Sequence, residues 1–267
     1  MERLDKLLAH EGYGSRKDIR KILRKYEVLV NGKQIFDPGF QINPEADVIT
    51  IDGEEVDLHQ HIYLMMNKIQ HTVSSNKDGE HQTVFDLLDD NMRTPYLQEH
   101  LHLVGRLDMD TEGLLLFTTD GELTHRLISP KNHISKTYFC VLEHAESEEN
   151  QKQIEQKFLE GVEVGPDDNE LGFKCEPAYV KWATKEQILK YTKNSSFTPD
   201  ENTFAAILTI YEGKYHQVKR MFTAVDNKVI FLKRISMGKL QLDETLNPAE
   251  YRYLDESDLD LLLEEKK

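Results

Sequence analysis

Apolar residues near the amino terminus recur at the spacing of two amphipathic helices. Three leucines predict the first helix and two glycines end it: Leu4, Leu7, Leu8, Gly12 and Gly14. Ser15 is placed to cap the second helix, because a serine hydroxyl can accept a hydrogen bond from a free N–H of the first turn. Four apolar residues form the buried face of that helix: Ile19, Ile22, Leu23 and Tyr26. Strands are predicted next at 28–30 and 48–51, ending at the Asn31-Gly32 and Asp52-Gly53 turns.

The remainder of the chain alternates apolar strands with polar loops. A polar link at 59–61 leads into an apolar strand at 63–67, so a second domain is expected to begin at residue 59. Further strands are predicted at 101–104, 113–117, 138–142 and 204–211, and the strand at 113–117 should end at an Asp120-Gly121 turn. A helix should begin at His216, with a buried face made of Val218, Met221, Phe222 and Val225.

Length and composition limit the class of protein. With 267 residues, 39% of them hydrophobic, the chain can bury one large or two modest cores, which excludes wholesale disorder. No apolar stretch approaches the roughly 18 residues of a membrane span, and the first residues lack the apolar core of a signal peptide. We therefore expect a cytoplasmic protein without a membrane partner. Cys140 and Cys175 are predicted to be ordinary buried thiols, since two cysteines make no disulfide framework.

The net charge of −15 argues against a nucleic-acid partner only if the acidic residues are spread evenly. They are not, because residues 1–34 carry nine basic and five acidic side chains, and residues 206–240 carry seven against two. Every other segment is acidic. Since local potential decides whether a phosphate backbone can approach, these two basic segments keep a nucleic-acid partner in consideration.

The second predicted helix has one strongly basic face. Six of its ten residues are basic: Arg16, Lys17, Arg20, Lys21, Arg24 and Lys25. Such a face can be merely solvated, but the repulsion between so many like charges favours contact with phosphate. The order of elements, helix, Ser-Arg-Lys, basic helix and Val-Leu-Val-Asn-Gly-Lys, resembles the S4 RNA-binding domain over residues 1–58. That resemblance implies RNA contacts from Arg16, Lys17, Arg20, Lys21 and Arg24.

A loop between two predicted strands carries Arg106 and Asp108, and it would hold the carboxylate rigidly against a sheet. A carboxylate so placed can act as a nucleophile or a general acid or base, although an Arg and an Asp two residues apart often form only a surface ion pair. Asp110 and Glu112 leave open a paired-carboxylate hydrolase, but we expect them to be solvated. A cation from the helix at 216, Lys219 or Arg220, would keep a buried carboxylate ionised.

Four ordered segments resemble the pseudouridine synthases, and specifically the RsuA-type branch, in which an S4 domain precedes the catalytic domain. They are Gly-Arg-Leu-Asp-x-x-Thr-x-Gly-Leu-Leu-Leu at 105–116, Asp-Gly at 120–121, Ser-Pro-Lys-Asn-His-Ile-Ser-Lys-Thr-Tyr at 129–138 and Glu-Gly-Lys-Tyr-His-Gln-Val-Lys-Arg-Met-Phe at 212–222. Pro-Ala-Glu-Tyr-Arg-Tyr-Leu at 248–254 extends the match, so that the resemblance covers nearly the whole chain.

The resemblance implies an α+β fold with an S4 domain at 1–58 and a catalytic domain at 59–267 built on a mixed, mainly antiparallel sheet. Asp108 would be the catalytic carboxylate, Tyr138 would stack on the target base, and Lys219 would pair with Asp108, with Arg220 as the second choice. Arg106 would help displace the base, and both Arg106 and Arg220 would contact the RNA. The implied substrate is a uridine of ribosomal RNA, in the small-subunit (16S) RNA or an assembling small subunit, modified by a monomeric enzyme.

The implied reaction isomerises a nucleoside without oxidation or net hydrolysis, so no cofactor is expected. Eleven histidines without cysteine or carboxylate partners at ligand spacing predict no metal site. Two other functions stay open: a non-catalytic S4 ribosome assembly factor, and a nucleoside hydrolase built around Asp108. One local departure concerns the loop after the first strand of the catalytic domain, where the family has Lys-Pro-x-Gly and this chain has Lys68-Ile69-Gln70-His71.

Overall fold

The structure is a computed structural model that describes residues 1–44, 46–56, 58 and 61–263. The chain divides into two compact units. The first comprises residues 1–63, 85–102 and 117–120, and the second comprises residues 64–84, 103–116 and 121–267. The predicted boundary after residue 58 stays a prediction, and residues 59 and 60 lie outside the described part of the chain.

The amino-terminal elements form two small sheets beside two helices. In chain order they are β1 Glu2–Arg3, α1 Leu4–His10, α2 Arg16–Lys25, β2 Val28–Val30, β3 Lys33–Gln34, β4 Gln41–Ile42, β5 Ile49–Ile51 and β6 Glu54–Val56. Strand β1 pairs with β4, and the other four strands lie in the order β3-β2-β5-β6. The leucines of α1 pack with Ile19 and Leu23 of α2 in one apolar core.

The predicted start of α2 is confirmed, and one residue of its predicted buried face is wrong. Ser15 accepts a hydrogen bond from the backbone N–H of Asp18, whose carboxylate accepts one from the N–H of Ser15 in return. Tyr26 does not join Ile19 and Leu23 in the core, because the helix ends at Lys25 and the chain becomes extended before β2. The Tyr26 side chain is consequently exposed.

The later elements comprise the strands of one large sheet, a separate two-stranded sheet and several helices. They are β7 Tyr63–Lys68, α3 Pro95–His100, β8 His102–Leu103, β9 Thr111–Thr118, α4 Gly121–Ile128, β10 Lys136–Leu142, α5 Glu148–Glu160, β11 Glu163–Val164, β12 Phe173–Lys174, β13 Tyr179–Trp182, α6 Lys185–Thr192, β14 Phe204–Ile210, α7 Gln217–Thr223, β15 Val229–Met237, β16 Leu240–Gln241, β17 Tyr251–Tyr253 and α8 Glu256–Leu263. Short 3-10 helices occupy Asp90–Arg93 and Pro130–Asn132.

The sheet order is β13-β14-β10-β15-β9-β7-β17, with β16 paired to β15 and β8 to β9. Strand β15 runs parallel to β9 and antiparallel to β10, so the sheet is mixed and the predicted α+β class is confirmed. The Asp120-Gly121 step, expected to close a strand with a turn, instead leads into α4, which begins at Gly121. No helix in the described ranges is long and apolar enough to cross a membrane.

Candidate active site

A buried lysine holds the backbone of the loop that carries Asp108 through hydrogen bonds. Lys68, at the end of β7, is 1% exposed, and its ammonium donates to the carbonyl oxygens of Ile69 at 3.0 Å, Asp108 at 3.0 Å and Thr111 at 2.9 Å. Burial lowers the pKa of Lys68 to about 8, although the nearby carboxylates of Asp108 and Asp110 oppose the shift. These bonds fix the backbone of the loop on the sheet.

The segment that departs from the family pattern forms a tight turn against the same loop. The N–H of His71 donates to the carbonyl of Met109 at 2.8 Å, and the hydroxyl of Thr72 donates to that of Ile69 at 2.9 Å. His71 has a φ of +63°, in the left-handed region that favours glycine. The histidine therefore takes the backbone conformation that the family's glycine would allow at this place.

Strand β9 follows the loop and lies close against β15 at Gly113. Gly113 has a φ of +98°, and a Cβ at this position would lie 2.3 Å from the carbonyl oxygen of Arg234. The approach is therefore possible only with glycine, which gives a physical reason for this residue in the Thr-x-Gly-Leu motif. The pairing fixes β9, and hence the loop before it, in register with β15.

Helix α7 supplies the cation that the sequence predicts beside Asp108. The ammonium of Lys219 lies 3.0 Å from Oδ2 of Asp108 and 2.6 Å from Oδ1 of Asp110. Burial alone would lower the pKa of Lys219, but the contacts with the two carboxylates outweigh it and raise the pKa above its usual value. Lys219 is thus held as a cation between the two acidic side chains.

Arg220, the alternative partner for Asp108 and a predicted RNA contact, turns the other way. Its guanidinium donates to the carbonyl oxygens of Gly165, Leu171 and Tyr215, and the residue is only 6% exposed. These bonds tie α7 to the segments before β12, and the side chain stacks near the ring of Phe173. These hydrogen bonds occupy the guanidinium inside the protein and give Arg220 a structural role, and its contact with RNA stays a prediction.

A shallow cavity brings the remaining predicted groups together. Arg106, Asp108, Tyr138 and Lys219 all line it, with Ile210 and Leu232 supplying apolar wall. Tyr138 is buried in β10, whereas Arg106 is exposed at the rim. The lining of the cavity therefore combines a carboxylate paired with a cation, a tyrosine side chain and an exposed arginine. Such a set can stabilise positive charge on a sugar and hold a flat base.

His216, predicted only to begin the helix, is a second neighbour of Asp108. It lies at the start of α7 with a φ of +48°, its Nδ1 is 2.8 Å from Oδ2 of Asp167, and its Nε2 is 3.9 Å from Oδ2 of Asp108. Its ring stacks on that of Tyr215. Its position inside the matched segment 212–222 was the available signal, but nothing local in the sequence indicates the contact with Asp167.

The predicted RNA-contacting residues of α2 belong to the first unit. Arg16, Lys17, Arg20, Lys21 and Arg24 are all exposed, and Lys21 pairs with Asp18 at 2.8 Å. The apolar side chains of Ile19 and Leu23 face the opposite way, into the core. The basic residues thus form an exposed face of α2 on the side away from the core.

Comparison with known families agrees with this arrangement. A model described as RNA pseudouridylate synthase matches residues 62–224, which include every lining residue of the cavity except Leu232, and an S4 domain model matches residues 2–48. The chain belongs to the RNA pseudouridylate synthase family. It is a pseudouridine synthase of the RsuA type, with an amino-terminal S4 domain, as its sequence motifs predict.

Full-length relatives support the same assignment for this pseudouridine synthase. A Bacillus subtilis protein named "Uncharacterized RNA pseudouridine synthase YtzG" is 43% identical, with 98% of each chain covered. The "Ribosomal small subunit pseudouridine synthase A" of Vibrio parahaemolyticus is 40% identical over 97% of this chain and 98% of its own. A solved structure titled "Crystal structure of pseudouridylate synthase" has a TM-score of 0.60 and 34% identity, covering 98% of this chain and all of the other.

One further group of this pseudouridine synthase has the composition of a metal site. Asp167, Asp168 and His216 offer ligand atoms within 4.8 Å of one another, and within the described ranges no other such group occurs. Each already has a hydrogen-bonded partner, since Tyr215 donates to Asp168 at 2.8 Å and His216 contacts Asp167. We interpret the group as part of the support of α7 and its Lys219.

Proposed function

We propose that this enzyme converts a uridine of 16S small-subunit ribosomal RNA into pseudouridine, with Asp108 as the catalytic carboxylate. The observation that carries the proposal is the contact of Asp108 with the Lys219 ammonium at 3.0 Å, in a cavity that also contains Tyr138. The small-subunit target is supported by the names of relatives such as the Vibrio parahaemolyticus enzyme. The proposed substrate is free RNA or an assembling small subunit.

The chemistry explains why one ionised carboxylate suffices. The bond between ribose C1′ and uracil N1 breaks, the uracil turns, and C1′ bonds to C5, which then loses its proton while N1 gains one. Positive character develops at C1′ during cleavage, and a carboxylate stabilises or attacks such a centre, as in glycosidases. No second carboxylate has to activate water, because the detached base itself is the group that adds again.

The detached base must be held while it turns, and Tyr138 is proposed to hold it. Stacking on an aromatic side chain contributes about 1 to 3 kcal/mol per base. Before this the uridine has to leave its stack in the RNA, which costs a few kcal/mol and favours a loop or weakly paired target. Arg106, exposed at the rim of the cavity, is proposed to assist that displacement.

The basic face of α2 is proposed to position the RNA through its phosphates. Residues 1–58 would act as the S4 module, with contacts from Arg16, Lys17, Arg20, Lys21 and Arg24. Such contacts add affinity without identifying bases. Replacing Arg20 and Arg24 by glutamine is therefore expected to weaken binding and flatten its dependence on salt, which binding titrations at several salt concentrations measure. We propose that the enzyme acts in the cytoplasm as a monomer.

The decisive experiment follows hydrogen release from uracil C5. We expect wild-type protein to release tritium from 16S RNA labelled at uracil C5, without free uracil, and to leave labelled large-subunit RNA unchanged. Asp108→Asn should abolish release while the affinity for RNA changes by no more than a few fold. Asp110→Asn is the matched control, because Asp110 also contacts Lys219 but is largely exposed, and it should keep most of the activity.

Other results would contradict the proposal in distinct ways. Activity of Asp108→Asn near that of wild type would reject Asp108 as the catalytic group. Release of free uracil would indicate a hydrolase, and tight binding without any release would indicate a non-catalytic assembly factor. Release from large-subunit RNA alone would leave the enzyme class intact and reject the 16S target.

A further inference from the structure

A second cavity lies within the first unit, and the reaction described above does not use it. Its volume is about 290 Å³, near the lower limit of roughly 300 Å³ for pockets that bind small ligands. Residues of α1 and α3 line most of it, together with one residue before β7 and one after β9. The polar and aromatic members are Glu2, Lys6, His10, His61, Tyr96, His100 and Thr119.

Two rings of α3 form a fixed platform at this cavity. Tyr96 and His100 are four residues apart, and their rings stack with centroids 4.1 Å apart and planes 11° from parallel. Nδ1 of His100 lies 2.8 Å from the carbonyl oxygen of Tyr96, which holds the imidazole in that orientation. Tyr96 packs against the apolar core of α1 and α2, whereas His100 is exposed. The imidazole therefore extends a ring stack that starts in the core.

The floor of the cavity is rigid and polar. His10 is 5% exposed, with Nε2 3.1 Å from the hydroxyl of Thr119 and its ring edge directed at Tyr96. The same hydroxyl oxygen accepts a hydrogen bond from the N–H of Ile62 at 3.0 Å. These contacts join α1 and α3 to the residues just before β7 and just after β9. They therefore fix the floor of the cavity without a ligand.

Two cations lie near the platform, together with the carboxylate of Glu2, which also lines the cavity. Lys6 lines the cavity, where it pairs with Glu2 at 2.7 Å, and Arg16 begins the basic face of α2. Burial raises the pKa of the Tyr96 hydroxyl, and the charges of Lys6 and Arg16 oppose that rise, which means that both cations act on this ring. The cavity therefore adjoins the surface already proposed to meet phosphates.

A metal ion is a poorer match for these histidines. Among the described residues, the ligand atoms of His10, His61 and His100 do not converge as those of Asp167, Asp168 and His216 do. Nδ1 of His100 is also held by a carbonyl oxygen. A flat ligand with an attached anion uses both features of the cavity, the rings and the cations.

We propose that this cavity binds one unpaired nucleotide of the RNA substrate, with its base stacked on His100 and its phosphate near Lys6 and Arg16. The inference rests on the proposed function in one respect, that the ligand belongs to the ribosomal RNA substrate. It goes beyond that function because the nucleotide is not the reacting uridine. An unpaired base captured here would help select RNA by the position of a bulge or loop, which phosphate contacts alone cannot do.

The test measures RNA affinity and turnover of the full-length chain with the same 16S RNA. His100→Ala removes the exposed ring, His100→Phe keeps a stacking ring without the imidazole nitrogens, and His125→Ala replaces an exposed histidine of α4 as the control. We expect His100→Ala to raise Kd by about tenfold, since stacking on one side chain has an effect of this order. His100→Phe should restore the wild-type Kd to within about threefold, and the maximal rate at saturating RNA should be unchanged in both variants.

A photo-crosslink adds a direct reading of the site. In RNA carrying 4-thiouridine, we expect a crosslink to α3 that His100→Ala removes and His125→Ala keeps. Equal affinity of wild type and His100→Ala would overturn the inference, and so would failure of His100→Phe to restore binding. If wild type releases tritium and His100→Ala binds normally, only the inference fails. If wild type releases none, the proposed function fails while the two Kd values still decide the inference.

Discussion

Lys219 is the residue whose removal tests the active-site geometry most directly. Its ammonium makes one hydrogen bond to Asp108 and one to Asp110, and its side chain is 23% exposed. Lys219→Met keeps the length and apolar stem of the side chain but removes the charge. Asp108 and Asp110 would then face each other without the cation between them.

The size of the expected effect follows from the bond to Asp108. Hydrogen bonds to charged groups contribute about 1.5 to 3 kcal/mol, and the Asp108 carboxylate is 30% exposed, so the lower part of that range applies. A loss of about 1.5 to 2 kcal/mol in the transition state corresponds to a decrease in kcat of about 10- to 30-fold. We expect that decrease for Lys219→Met, and a smaller one for Lys219→Arg, which retains the charge with a different shape.

Steady-state release of tritium over a range of RNA concentrations measures this effect, because kcat is read at saturating RNA and KM is obtained separately. Lys152→Met, which changes an exposed lysine of α5, controls for the loss of one positive charge. A kcat of Lys219→Met within twofold of wild type would refute the reasoning that the pair of Lys219 with Asp108 supports catalysis. An increase in KM with unchanged kcat would instead assign Lys219 to RNA binding.

Two further predictions concern stability. Gly113→Ala is expected to lower the free energy of unfolding by about 3 kcal/mol, because the new Cβ meets the Arg234 carbonyl and the backbone is left-handed. Urea denaturation measures this free energy. A change below 1 kcal/mol would contradict the close approach of β9 and β15. Burial lowers the pKa of Lys136 from 10.5 to about 8. Between those values the unfolded chain binds more protons, so stability should rise with pH by up to about 3 kcal/mol through this group. Lys136→Met should remove that part of the rise, which urea titrations at pH 7.5 and 10 measure. An equal increase in the free energy of unfolding between the two pH values for both proteins would contradict this prediction.

Periodicity predicted the elements that depend on local patterns. The faces of α1 and α2, the cap at Ser15 and the buried side of α7 follow from spacing and from single polar residues, because neighbouring turns of one helix decide them. The interpretation of Tyr26 was wrong because spacing does not reveal where a helix ends. The chain there has to extend into β2, and that requirement comes from the sheet.

The site was predictable as far as the motifs reach. Resemblance placed Asp108, Tyr138 and Lys219 in one set, and the structure brings all three to one cavity. It left Arg220 as an alternative to Lys219, and only the contacts of α7 distinguish the two residues. The role of His216 depends on Asp167, which lies 49 residues earlier, so no local pattern could indicate it.

The position of each cation, more than the net charge, connects this sequence to its function. Lys68, Lys136 and Arg234 are nearly fully buried around the strands of the active site, although a binary pattern assigns lysine and arginine to the surface. Backbone carbonyl oxygens accept hydrogen bonds from these cations: four from Lys68, that of Ile134 from Lys136 and that of Leu114 from Arg234. Burying a charge is costly, so these contacts must offset it while fixing strands and loop against one another. The basic side chains of α2, in contrast, are exposed and therefore do not incur this desolvation cost. A net charge of −15 combines both groups with the acidic surface, and for this reason it predicts neither the buried cations around the cavity nor the exposed basic face of α2.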